Sequence, residues 1–146
     1  MTVEQLSVFL ENKPGELVGI LGTLAGEGID LRALSLADTE NFGILRLIVD
    51  EPARALKILQ DEGYVVELID VIPVSVDDKP GALVSALRAL ADAGISVEYA
   101  YVFVAPKMSG AGKAYAIICA GDNAKAVRAL TDNGFDLVPG AQMYKM

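Results

Sequence analysis

The side chains that most often do chemistry are scarce in this 146-residue chain, and those present are poorly arranged for it. There is no His, so the commonest general base near neutral pH is absent. The single cysteine, Cys119, stands inside the apolar run Ile117-Ile118-Cys119-Ala120, where a buried structural thiol is expected rather than a nucleophile. One Cys and no His do not build an ordinary zinc or iron site. Asp77 and Asp78 are adjacent, but they end a strand that alternates sides and so do not converge on one ion. Gly110-Ala111-Gly112-Lys113 has the look of a phosphate loop. The Gly-x-x-x-x-Gly-Lys-Ser/Thr spacing is missing, however, and a strand rather than a helix follows. No enzyme, no metal and no cofactor is expected.

One stretch does have a binding chemistry, and it occurs twice. Asn12-Lys13-Pro14-Gly15-Glu16-Leu17-Val18 runs on to Leu31, and Asp78-Lys79-Pro80-Gly81-Ala82-Leu83-Val84 runs on to Val97. The offset is constant (78 − 12 = 66), and 10 of the 20 aligned positions are identical, which marks an internal duplication. Each copy puts a short polar residue and a Lys-Pro-Gly turn between an alternating apolar segment and an amphipathic one. Pro suits the first turn of a helix, where its missing donor has no partner anyway. Asn12 and Asp78 can accept from free amides there, and the Gly lets a ligand approach the backbone. A helix N-terminus with unpaired amides suits a carboxylate or another anion. The competing reading is a plain strand-to-helix turn.

The elements that must position these loops follow from periodicity. Leu6, Val8 and Leu10 alternate as in a half-buried strand, and Leu17, Ile20, Leu21 and Leu24 form a helical stripe over residues 14–27 that Gly28 ends. Strands are expected at 29–37 and 42–49, a helix opening at Glu51-Pro52 and ending at Gly63, and a strand at 64–69. That last strand runs without a linker into Val74 and Val76, and the order then repeats: a helix at 80–93, strands at 95–104 and 114–120, and a helix from Asp122-Asn123 to Gly134. The final helices are offset by 71 (122 − 51), so the loop Pro106–Gly112 must hold five extra residues (71 − 66).

Two further patterns ask for an explanation. Gly15, Gly19, Gly22 and Gly26 share one face of the first helix, opposite its leucines. Each interior Gly costs a helix roughly 1 kcal/mol relative to Ala. Close approach by another helix or subunit at Gly19, Gly22 and Gly26 would offset that; the bland reading is unselected surface. Tyr99, Tyr101 and Phe103 line one face of a strand whose counterpart carries Ala33, Ser35 and Ala37. That aromatic row is expected on the side of the sheet away from the helices, as a dimer surface, a core between the repeats or an aromatic-ligand pocket.

Composition narrows the partners. A net charge of −8 opposes nucleic acid and anionic membrane surfaces. The start, Met1-Thr2-Val3-Glu4-Gln5, carries no signal-peptide pattern, no apolar run approaches about 20 residues, and a single Cys forms no internal disulfide. A cytoplasmic protein is expected. Units of about 70 residues bury only about 60% of their unfolded surface, so the halves are expected to pack on each other.

The strand, Asn12-Lys13-Pro14-Gly15-Glu16-Leu17, and the helix closing at Gly28-Ile29-Asp30-Leu31 resemble the ACT domain. Asp78-Lys79-Pro80-Gly81-Ala82-Leu83 with Gly94-Ile95-Ser96-Val97 resembles a second. The resemblance covers essentially the whole chain, as domains at 1–70 and 71–146, and looks most similar to the small stand-alone tandem ACT-domain proteins. It implies an α+β fold: two ferredoxin-like βαββαβ repeats packed together, with antiparallel sheets and helices on one face. It also implies a non-enzymatic regulatory protein that binds a small ligand, most of all an amino acid, at the Pro-Gly loops and domain interfaces.

In family members that bind an amino acid, the ligand sits between this loop of one domain and the start of the second strand of a neighbour. The loop positions here are Asn12, Pro14, Gly15, Glu16 and Leu17, with Asp78, Pro80, Gly81, Ala82 and Leu83 in the second copy; the strand positions are Asp30 and Ser96. Asp30 and Asp78 depart from the Asn-bearing pattern of serine-binding members, because a carboxylate repels a ligand carboxylate but accepts from its ammonium group. The implied partners are an amino acid and a second copy of the chain in a homodimer. The alternative is a protein-interaction subunit that docks on a metabolic enzyme without a ligand of its own, as the small subunits of acetolactate synthase do by analogy.

Overall fold

Alternation along the first strand and helical spacing along the first helix meet in one buried layer. In the structure, a computed structural model, Leu6, Val8 and Leu10 pack against Ile20 and Leu24. Residues 2–104 and 112–145 are described. The elements run β1 Val3–Glu11, α1 Glu16–Gly26, β2 Leu31–Asp38, β3 Phe42–Val49, α2 Pro52–Asp61 and β4 Val65–Asp77. They continue through α3 Ala82–Asp92, β5 Val97–Val104, β6 Lys113–Ala120, α4 Asn123–Asp132, β7 Asp136–Leu137 and α5 Gly140–Tyr144. Contacts divide the chain into two units, Glu4–Ile69 and Asp70–Tyr144, with Val3 grouped with the second.

Each unit is βαββαβ. In the first, the strand order is β2-β3-β1-β4, and in the second it is β5-β6-β4-β7. The pairs β1/β3, β2/β3, β4/β6, β5/β6 and β4/β7 are antiparallel. Both helices of a unit lie on one face, because strand residues two apart share a cluster with both of them. Leu6, Val8, Leu45 and Leu47 join Ile20 and Leu24 of α1 and Ala55 and Leu59 of α2. Ile72, Val74, Ala116 and Ile118 join Ala86 and Leu90 of α3 and Ala126 and Leu130 of α4. Burying one such leucine or isoleucine is worth about 1.5–3 kcal/mol. The helix and strand starts keep the two offsets of the sequence, 66 for α1/α3 and β2/β5 (82 − 16, 97 − 31) and 71 for β3/β6 and α2/α4 (113 − 42, 123 − 52). Most of the loop expected to hold the insertion, residues 105–111, lies outside the described residues.

The register fixes the faces. Leu34 pairs with Leu47 and Leu36 with Leu45, so these leucines point to the helix side, yet they stay about half exposed because β2 is an edge strand. Tyr99, Tyr101 and Phe103 pair with Cys119, Ile117 and Tyr115 on the side away from the helices. Phe103 stacks on Tyr115 with ring centroids 5.5 Å apart. Cys119 is buried and its thiol donates to the Glu98 carboxylate at 3.5 Å.

Two features differ from the sequence reading. The chain after β7 makes a further short helix, α5, in which the Met143 amide donates to the Pro139 carbonyl at 2.9 Å and the Met143 side chain is fully buried. Five residues are too few to show a helical period, so the only local sign was Pro139, which suits a helix start. The Pro-Gly helices begin at Glu16 and Ala82, two residues after each Pro, rather than at 14 and 80. Among the described residues, no helix is long and apolar enough to cross a membrane.

Candidate functional site

The late helix start reshapes the loop. Gly15 (φ 91°) and Gly81 (φ 86°) occupy the N-cap positions of α1 and α3 in the left-handed region, where an L side chain is strained. No side chain caps either helix. Contrary to the sequence reading, neither Asn12 nor Asp78 accepts from the helix amides; the Asn12 side-chain amide donates to the Asp38 carboxylate and, at 3.1 Å, to the Thr39 carbonyl. It straps the loop to the β2–β3 hairpin instead. The Glu16 and Ala82 amides turn back to the Lys13 and Lys79 carbonyls at 3.4 and 3.3 Å. Those of Leu17, Val18, Leu83 and Val84 have no backbone acceptor among the described residues.

Beside each loop is a cleft, and the two clefts occupy the same place in their units. The first, about 390 Å³, is lined from the end of β1 (Phe9, Leu10, Glu11), the helix start (Glu16), the head of β3 (Phe42) and the α2–β4 turn (Glu62 to Val65). The second, about 320 Å³, is lined by Ser75, Val76 and Asp77, by Lys79, Ala82 and Ser85, by Lys113, and by Gly134 to Asp136. Shifting the first set by 66 up to the hairpin, and by 71 after it, gives the second almost position for position. Both volumes fall toward the lower end of the range for small-molecule sites, roughly 300–1,000 Å³.

Charge distinguishes the two clefts. At the first, the Lys13 ammonium lies 3.0 Å from Glu11. Its pKa is raised by the hydrogen bond it donates to Glu11 and by the charges of Glu11 and Glu16. Glu16 also accepts from the Glu11 amide at 3.5 Å. At the second, Lys113 holds Asp77 at 2.6 Å, with Lys79 3.9 Å from the same carboxylate. That hydrogen bond is the main cause that lowers the Asp77 pKa and raises that of Lys113.

The strand residues of the expected site lie elsewhere. Asp30 stands at the far end of α1, and eleven helical residues at 1.5 Å each separate the two ends by roughly 16 Å. Its carboxylate is bonded to Arg32 at 2.8 Å, and its amide donates to Asp50 at 3.0 Å. Ser96 is placed likewise beyond α3, its carbonyl accepting from Gly121 at 3.1 Å. No single unit brings these residues to its own loop.

On the glycine face, a Cβ at Gly19 would lie 3.3 Å from the Tyr64 hydroxyl, so a side chain of the same unit comes up to it. Gly22 and Gly26 have nothing within 4 Å. Phe9, Phe42, Glu62 and Tyr64 also line the first cleft, although nothing in the Pro-Gly motif marks them. The signal was available in the internal repeat, which predicts a matching cleft wherever one copy forms one.

The fold and its paired Pro-Gly turns define a tandem pair of ferredoxin-like modules. The chain belongs to the ACT domain pair family, whose model matches residues 1–145; ACT domains are regulatory ligand-binding domains. No curated protein matches the chain. Among solved structures, a protein from Bacteroides thetaiotaomicron is 37% identical with a TM-score of 0.92, covering 100% of this chain and 98% of that one. The ligand-free regulatory subunit of aspartate kinase from Thermus thermophilus is similar in fold at 19% identity and a TM-score of 0.64, covering 90% of this chain and 92% of that one. That from Thermus flavus is similar at 19% and 0.60, with 88% and 90% covered.

Proposed function

We propose that the chain is a regulatory protein that binds an amino acid, or a close relative of one, at its two Pro-Gly loops. The observation that carries this reading is the coincidence, in both units, of a glycine-opened helix N-terminus with a cleft at the same place. The amides of Leu17 and Val18, or of Leu83 and Val84, offer donors to a ligand carboxylate, while the carboxylates lining the clefts accept from its ammonium group. A ligand that prefers one arrangement of the chain shifts the population toward it, which is all that regulation requires. The candidate residues are Asn12, Pro14, Gly15, Glu16 and Leu17, then Asp78, Pro80, Gly81, Ala82 and Leu83. Asp30 and Ser96 are candidates as contributions to the loop of a neighbouring domain.

A thermal-shift screen against the common amino acids tests the reading. A ligand at 100 times its dissociation constant adds about 2.7 kcal/mol, and each kcal/mol raises the midpoint by about 2–4 °C for a chain near this size. A shift of roughly 5–10 °C from one or a few amino acids is expected. A flat screen at millimolar concentrations, with the protein folded, contradicts it.

The docking reading keeps one supporting observation. Gly22 and Gly26 lie on an exposed helix face with nothing beside them, so their cost to the helix is not offset within the unit. A homodimer partner or a metabolic enzyme packed on that face would supply the offset, and a pull-down would recover it.

A further inference from the structure

The two clefts share a frame and differ in what lines it. At three matched positions the first has Phe9, Phe42 and Val65, each about half exposed or more, where the second has Ser75, Lys113 and Asp136. At two others it has Glu16 and Glu62 where the second unit has Ala82 and Asn133. With Tyr64, the first cleft therefore has three aromatic rings among its walls. Aromatic faces attract cations, Phe and Tyr included. The three carboxylates Glu11, Glu16 and Glu62 against the one ammonium of Lys13 leave a net charge of −2 (1 − 3). The second cleft sets Lys79 and Lys113 against Asp77 and Asp136, a net charge of zero (2 − 2).

We propose that the first cleft is a site for an organic cation with an apolar stem, an alkylammonium or guanidinium compound, and that the second cleft excludes such a ligand. The stem lies along Phe9, Phe42 and Tyr64, and the cation is held by the carboxylates. In the second cleft an entering cation meets two ammonium groups and two carboxylates, where the first offers three carboxylates against the one ammonium of Lys13. The proposal rests on the reading that these clefts take small ligands, and it adds that they divide ligands by charge.

Calorimetric titration of the full chain tests it with L-lysine, L-arginine, cadaverine, L-norleucine and L-glutamate as probes. Lysine, arginine and cadaverine are expected to bind. Norleucine, which has the stem without the terminal ammonium, and glutamate are expected to bind at least tenfold more weakly. Cadaverine binding alone identifies an amine ligand, and lysine binding the tighter of the two identifies an amino acid; either supports the proposal.

Glu62→Gln, at an exposed position, should weaken lysine binding about tenfold, the scale of one hydrogen bond to a charged group, with the ligand-free midpoint unchanged as the check on folding. Phe42→Lys, which installs the residue of the second cleft, should weaken it further. Norleucine binding as tightly as lysine, or full affinity retained in both variants, overturns the proposal while leaving amino-acid binding in place. Silence from every amino acid and amine overturns both.

Discussion

Replacing Gly15 by Val is expected to lower stability by about 1–2 kcal/mol and to abolish any ligand-induced thermal shift that depends on the first loop. The cost follows from φ 91° at this N-cap, since a left-handed conformation costs an L residue roughly that much. A β-branched side chain stands at the upper end. Crowding adds little, because a Cβ at Gly15 meets nothing within 4 Å. Gly15→Asn separates the effects, since Asn tolerates this region better, so it should recover much of the stability while still placing a side chain beside the loop. Gly81→Val should behave alike (φ 86°, nothing within 4 Å). Urea unfolding with and without ligand checks both. A Gly15→Val protein as stable as the parent would mean that the loop takes another conformation.

The second large effect lies in the two helix-side cores. Leu24 and Leu90 are repeat equivalents (90 − 24 = 66), 1% and 0% exposed, each facing the sheet of its own unit. Leu→Ala at such sites costs about 2–5 kcal/mol, the lost transfer energy plus the cavity left behind. A matched pair of losses is expected by urea denaturation, and Leu24→Met should keep most of the stability because it conserves volume. A cost under about 1 kcal/mol at either position would mean that the neighbouring Ile20 or Ala86 layer collapses into the gap.

Much of this was legible in the chain because it is local or repeated. The apolar residues Leu17, Ile20, Leu21 and Leu24 and the alternation at 6, 8 and 10 specify a helix and a strand by period alone. The two offsets, 66 and 71, set the order of the elements and locate the insertion. What could not be read depends on contacts distant in sequence or on backbone angles. Asn12 looks like a helix cap, but its partners, Asp38 and Thr39, lie 26 and 27 residues away across a hairpin. Pro14 marks a helix start, yet the left-handed Gly15 moves that start two residues on. The third wall of each cleft, at Tyr64 and Phe135, comes from the turn between the second helix and the last strand. Nothing near the Pro-Gly motif points to it. Val65 and Asp136, matched in place and opposite in character, show how two copies keep a frame while the lining diverges.

The most direct test of the account is a two-dimensional amide NMR titration of the full chain with the amino acid that gives the largest thermal shift. Saturable shifts are expected, centred on the amides of Gly15, Leu17 and Val18, on those of Gly81, Leu83 and Val84, or on both sets. A saturating ligand that leaves all six unmoved while shifting other residues would contradict binding at the loops.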